Sequence, residues 1–176
     1  LPIALEAQKQ GSNVHVATPD GPQVETIALL GLKHHVIPFN RKGQNPFHEL
    51  KTLVLLFMLF RNVKPDLVHL VTVKPILYGG LAARIAGIKA VVAAVSGMGT
   101  IFISNTLFAR IRRWFILIFY KQALKQKRLM VIFQNHSDKN LLLSHHIISP
   151  KHVIVIRGSG VDLADYPAMP EPKLPA

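Results

Sequence analysis

Apolar positions along the 176-residue chain fall into two recurring patterns. Short runs rich in β-branched residues occur at 13–18 (NVHVAT), 33–39, 66–71 (DLVHLV), 89–95 (KAVVAAV), 129–133 and 152–156 (HVIVI). Runs of this length and composition predict strands buried on both faces of a sheet. Between them, apolar side chains recur at three- and four-residue steps. That spacing predicts helices over 3–10, about 25–30, from Pro46 onward, 75–86, 107–127 and after Asn135. The punctuation agrees. Pro46 and Pro75 stand at first helical positions, where proline is preset for the helix and its lack of an N–H costs nothing. Asn45 and Asn135 are N-caps, with Asp138 near the positive end of its helix. Gly11, Gly31 and Gly87 are stops.

Strands alternating with helices predict βαβ units, parallel pairing and right-handed crossovers. The expected fold is therefore α/β, a three-layer α/β/α sandwich on a Rossmann-like, mostly parallel sheet. The clearest unit is 65–100 (PDLVHLVTVKPILYGGLAARIAGIKAVVAAVSGMGT). In such sheets ligands bind beyond the carboxyl ends of the strands. This places Thr72, Lys74, Gly79, Gly80 and the Ser96, Gly97, Met98, Gly99 loop on one edge, joined by Arg157, Gly158 and Ser159 after the last strand. Glycines let the backbone approach a ligand, and successive N–H groups form an anion nest. Lys74 at a helix start offers a point charge to a phosphate.

Two helices carry informative faces. In the one after Pro46, Leu50, Leu53, Val54, Phe57 and Phe60 predict the side packed on the sheet. In 107–127, Leu107, Ile111, Phe115 and Ile118 form one apolar face, and Arg110, Arg113, Lys121, Lys125 and Arg128 form a basic stripe. Trp114, Ile116, Phe119 and Tyr120 leave its middle apolar nearly all round. Two readings stay open. Arg110, Arg113, Trp114, Lys121 and Lys125 face an anionic membrane, or the helix packs between its own sheet and another domain.

Composition narrows the class. Hydrophobic residues are 49% and charged residues 17%, which excludes a disordered chain. With no cysteine, neither a disulfide scaffold nor a thiolate metal site is available. The nine histidines show no HExxH spacing, and the adjacent pairs His34-His35 and His145-His146 point apart, so no metal is expected. Net charge is +12, and no acidic residue lies between Asp66 and Asp138, a stretch holding ten Lys and Arg. Such a field attracts acidic lipid, phosphorylated substrate or nucleic acid. Nucleic acid fits less well, because the aromatics sit in apolar runs and form no stacking platform. The uncharged stretch 90–109 is interrupted by Ser, Gly, Thr and Asn and does not read as a membrane span. There is no GxGxxG at a first strand, no GxxxxGK[ST] and no GxSxG. Paired-carboxylate hydrolysis is disfavoured, with only Asp20, Asp138 and Asp162 expected near the edge.

Taken together, 65–100, 131–143 (VIFQNHSDKNLLL) and 155–167 (VIRGSGVDLADYP) resemble the N-terminal half of bacterial group 1 (family 4) glycosyltransferases of surface-polysaccharide assembly. The resemblance implies a GT-B plan, with two Rossmann-like domains facing across a cleft and sugar transfer with retention. Residues 1–166 would be the acceptor-binding domain and 167–176 a proline-rich interdomain linker. The domain's first strand and a C-terminal donor domain would lie outside this chain. Asp66 and His69 match the family's DxVH, whereas Val71 stands where many members have a second histidine. Ser96–Gly99 matches the loop lining the acceptor cleft, and Gly160-Val161-Asp162 the turn beside the hinge. Implied partners are a nucleotide sugar, bound mainly by the donor domain, a lipid-linked saccharide acceptor and an anionic membrane surface. No cofactor or metal is implied. The implied location is cytoplasmic, on the inner face of the plasma membrane. The resemblance assigns no catalytic residue, and the fragment alone is expected to be inactive. A sugar-nucleotide epimerase on the same two-domain plan, or a non-catalytic membrane or anion-binding module, is the alternative.

Overall fold

The computed structural model describes residues 1–39, 45–98 and 106–158, without the side chains of 107–109. In chain order these form α1 (Pro2–Lys9), β1 (His15–Thr18), α2 (Val24–Leu29), β2 (Lys33–Val36), α3 (Pro46–Val63) and β3 (Leu67–Val71). A π turn (Pro75–Gly79) then runs directly into α4 (Gly80–Ala86). After it come β4 (Ala90–Val95), α5 (Leu107–Ala123), β5 (Arg128–Phe133), α6 (His136–Ser144), a 3-10 turn (Pro150–His152) and β6 (Val153–Val155). The expected loops at 40–43 and 160–162, Gly99, Ser159 and the linker 167–176 lie outside the described residues.

Capping follows the sequence. Asn45 accepts from the Phe47 N–H at 3.0 Å, with Pro46 opening α3. Asn135 accepts from the Asp138 N–H at 2.8 Å. Gly87 ends α4 at φ +76°. The helix expected over 107–127 ends at Ala123, because Gln126 turns back to donate to the Ala123 and Gly80 carbonyls at 2.6 and 2.8 Å. Lys125 therefore lies in a turn and Arg128 opens β5, so the basic stripe is shorter than expected.

Every strand pair is parallel, as the βαβ reading requires. The strands nevertheless form two sheets, β1–β2 and β3–β4–β5–β6. Among the described residues, β1 and β3 each leave one edge unpaired. The core lies on one face of the four-stranded sheet. Val68, Leu70, Val91, Ala93, Val95, Val131 and Phe133 are buried there with Leu56, Phe60, Ile76, Leu77, Tyr120 and Leu142 from the helices.

Two packing details refine the layered reading. Among the described residues the buried core lies on one face of the four-stranded sheet. Leu67, Val71, Met130 and Ile154 on the other face are exposed. Alternation was hidden because both faces are apolar. The core stripe of α3 is Thr52, Leu56 and Phe60, whereas Leu50 and Val54 are exposed. An almost wholly apolar helix leaves its rotation to be set by tertiary contacts, here with α4 and the π turn. Thr52 is anchored by its hydroxyl, which engages the His48 and Pro38 carbonyls at 3.0 and 3.2 Å.

Candidate functional site

The register lines up the carboxyl ends of the four-stranded sheet. Val71 pairs with Ala94, Val95 with Phe133, and Phe133 with Val155. The residues that follow, Thr72, Ser96, Gln134 and Ile156-Arg157, therefore occupy one edge. Thr72, Ser96, Arg157 and Gly158 are exposed there. Gly97 and Gly158 take φ +142° and +73°, values that suit glycine.

Thr72 holds φ +72°. For a β-branched residue this is a strained, left-handed conformation. It persists because the Thr72 N–H donates to Ala94 O at 3.2 Å and its carbonyl accepts from the Ile76 N–H at 3.1 Å. These two bonds turn the chain from β3 into the π turn. Strain and π turns both concentrate at functional sites, and neither is visible in a residue pattern.

Lys74 does not present a bare charge to the edge. Its ammonium pairs with Glu49 in the first turn of α3, and both side chains are mostly buried. Tyr78, one turn on, lies near the same carboxylate. Burial, reinforced by the neighbouring Glu49, pushes the Tyr78 hydroxyl well above its ordinary range, so it remains protonated. Glu49 escaped the sequence reading because it lies far from the loops in sequence. The only signal was its place near a helix start.

Met98 is 2% exposed and belongs to the core, so its side chain is not a ligand contact. Its N–H donates to Asp138 Oδ2 at 3.3 Å, and the same oxygen accepts from Asn135 Nδ2 at 2.9 Å. The α6 cap thus tethers the loop after β4. Tyr120, fully buried on α5, has its hydroxyl raised by burial and by the charge of Asp138. Gly79 and Gly80, expected at the edge, are buried inside the helix. A Cβ on Gly79 would meet Leu70 Cδ2 at 2.5 Å, and one on Gly80 would meet Ala123 O at 2.7 Å. Their role is close packing.

Asp66 sits at the opposite end of β3 and pairs loosely with Lys89 at 3.8 Å, both exposed. His69 points to the uncovered sheet face. Its Nε2 is enclosed without a hydrogen-bond partner among the described residues, and burial lowers its pKa. Away from the edge, His15 Nδ1 and His35 Nε2 lie 2.8 Å apart in stacked rings, and His34 bonds Thr18 at 2.8 Å.

On α5 the apolar face is turned outward. Ile111, Trp114, Phe115, Ile118 and Phe119 are exposed, with Arg110 and Lys121 flanking them. Tyr120 and Ala123 point inward, and Arg113 is half-buried rather than on the open face. A cleft of about 450 Å³ runs between this face and Leu77-Tyr78. No helix among the described residues is long and apolar enough to cross a membrane.

A parallel α/β unit with its polar loops gathered at the carboxyl edge is Rossmann-like. A solved glycosyltransferase from Rickettsia africae shares the fold at TM-score 0.57 and 17% identity, over 88% of this chain and 37% of that one. The chain belongs to the glycosyl transferase 4-like family, whose profile matches residues 1–135. It is 28% identical to a Campylobacter jejuni N,N'-diacetylbacillosaminyl-diphospho-undecaprenol alpha-1,3-N-acetylgalactosaminyltransferase, over 94% of this chain and 44% of that protein. It is also 27% identical to a Tolumonas auensis UDP-N-acetylglucosamine–N-acetylmuramyl-(pentapeptide) pyrophosphoryl-undecaprenol N-acetylglucosamine transferase, over 90% of this chain and 48% of that protein. The chain thus spans about half the length of these curated relatives.

Proposed function

We propose that the full-length protein moves a sugar from a nucleotide-sugar donor to a saccharide carried on a polyprenyl diphosphate, and that this chain is its acceptor-binding domain. The observation that carries the reading is the adjacency of two surfaces. The strand-end edge, with Thr72, Ser96, Gly97, Arg157 and Gly158, is polar and open. The outward face of α5 is apolar and flanked by Arg110 and Lys121. An acceptor with a hydrophilic head and a membrane-embedded tail needs both. The printed activities of the two relatives, each directed at a diphospho- or pyrophosphoryl-undecaprenol acceptor, support the same class.

In this reading the glycine loops and Arg157 hold the acceptor's anionic head, and Lys74, paired with Glu49, shapes the wall behind it. The donor is held mainly by a second domain. Fixed cations and helix N-termini stabilise the departing diphosphate without a metal. The α5 face rests on the cytoplasmic surface of an anionic membrane, its apolar residues at the acyl boundary and its cations among headgroups.

The test is sugar transfer by the full-length protein from a panel of labelled nucleotide sugars to a polyprenyl-diphosphate-linked saccharide. Transfer to that acceptor supports the proposal. Interconversion of the nucleotide sugars with no transfer would replace it by the epimerase reading.

A further inference from the structure

We propose that the cleft between the π turn and α5 is a subsite for the hydrocarbon segment next to the diphosphate of a polyprenyl-diphosphate ligand, with Arg112 as the cation in its wall. This rests on the glycosyltransferase reading and adds to it a defined ligand segment and a residue outside the basic stripe.

The cleft has two chemistries. Ile111, Phe115, Ile116 and Phe119 of α5 face Leu77 across about 450 Å³, an apolar trough of ordinary small-molecule size. It has room for a few isoprene units and not for a long chain. The opposite character comes from Arg112, which lines the same cleft. Its Nε is enclosed from solvent and reaches no hydrogen-bond acceptor among the described residues. An enclosed N–H left without an acceptor is costly, and a phosphate oxygen can satisfy it with both charge and geometry.

Tyr78 forms the wall on the other side, with the Glu49 carboxylate nearby. Glu49 also holds Lys74, which follows the carboxyl end of β3. The cleft wall is therefore continuous with the strand-end edge through the Lys74–Tyr78 segment. A ligand lying in the trough has its polar end directed toward that edge. No acidic residue occurs from 67 to 137, and Glu49, the carboxylate behind Tyr78, is paired with Lys74, so an anionic group entering here meets no bare carboxylate from the residues named in the cleft. A neutral lipid leaves Arg112 unsatisfied, and a free phosphate leaves the trough empty. The occupant that answers both is a hydrocarbon with a phosphorylated end.

Calorimetric titration of the full-length protein without vesicles separates the possibilities, using farnesyl diphosphate, inorganic diphosphate and farnesol as probes. Farnesyl diphosphate should bind at least tenfold more tightly than either fragment. Arg112→Met, which keeps the aliphatic stem, should weaken it at least tenfold. Phe115→Ser, a change at an exposed side chain, should also weaken it and decides the matter alone if Arg112→Met does not fold. Ile118→Gln, outside the cleft, should lower binding to anionic phosphatidylglycerol vesicles while leaving farnesyl diphosphate affinity unchanged. Farnesyl diphosphate binding no tighter than either fragment, or unaffected by Phe115→Ser, overturns the assignment. An enzyme that transfers sugar while its cleft variants bind like wild type loses the subsite alone. A protein that binds farnesyl diphosphate through the cleft but transfers nothing keeps the subsite and loses the function.

Discussion

Gly80 is where α4 touches α5, and replacing it tests how α5 is held. A Cβ built there lies 2.7 Å from Ala123 O, 2.8 Å from Ala123 Cβ and 3.1 Å from Ala123 C. Two of these contacts are backbone atoms, so no side-chain rotation relieves them. The helices must separate by several tenths of an ångström. Overpacking of this kind costs about 1–3 kcal/mol. Separation also strains the Gln126 amide, which donates to Gly80 O at 2.8 Å and Ala123 O at 2.6 Å, at about 1 kcal/mol for each bond lost. Against this, alanine gains about 1 kcal/mol of helix propensity. The expected net loss for Gly80→Ala is roughly 1–3 kcal/mol, read as a lower urea midpoint at constant slope. Gly79→Ala is the control. Its Cβ meets the end of the Leu70 side chain, which can turn away, so the loss should stay under about 1 kcal/mol. A Gly80→Ala protein as stable as wild type, or no more affected than Gly79→Ala, would refute this account of the α4–α5 contact.

Asp138→Ala should cost about 1–2 kcal/mol through the lost bond from Asn135 Nδ2 and the orphaned Met98 N–H, and amide exchange at Met98 should accelerate. Unchanged exchange there would mean that the loop after β4 is held otherwise. Thr72→Gly should raise stability by about 1 kcal/mol by relieving the left-handed strain, whereas Thr72→Ala, which keeps it, should not. Equal effects would remove strain as the explanation. Acidification should destabilise the protein. Burial lowers the pKa values of His35 and His69 below 6.5, with His15, His34 and Lys33 adding repulsion at His35. Below pH 6.5 the unfolded chain then binds more protons than the folded one, so stability falls until pH drops past the folded-state values. His69→Gln should flatten the urea-midpoint profile in that window. A midpoint that rises on acidification contradicts the assignment.

Much of the fold was legible because strand runs and helix punctuation are local. Pro46, Asn45, Asn135 and Gly87 do in the structure what their chemistry predicts. Rotation and coverage were not legible. In α3 and α5 the apolar residues run nearly all round, so the inward side is chosen by what the helix meets. For α5 that choice buries Tyr120 and turns Phe115 and Ile118 outward. The strand-end edge was readable from the parallel order of the βαβ units. Glu49 was not, because only folding brings α3 to Lys74. Nor was the strain at Thr72, a backbone property with no signature in a threonine. The same limit explains Gly79 and Gly80. A glycine pair reads equally as a ligand approach or as a close helix contact, and the distances to Leu70 and Ala123 decide for the second.

The central claim is that the strand-end edge carries the acceptor and not the donor. Steady-state kinetics of the full-length protein tests it most directly, comparing wild type with Arg157→Met combined with Ser96→Ala, both exposed positions. The account predicts a KM for the polyprenyl-diphosphate-linked acceptor raised at least tenfold, with the nucleotide-sugar KM unchanged. A raised nucleotide-sugar KM with an unchanged acceptor KM would contradict it.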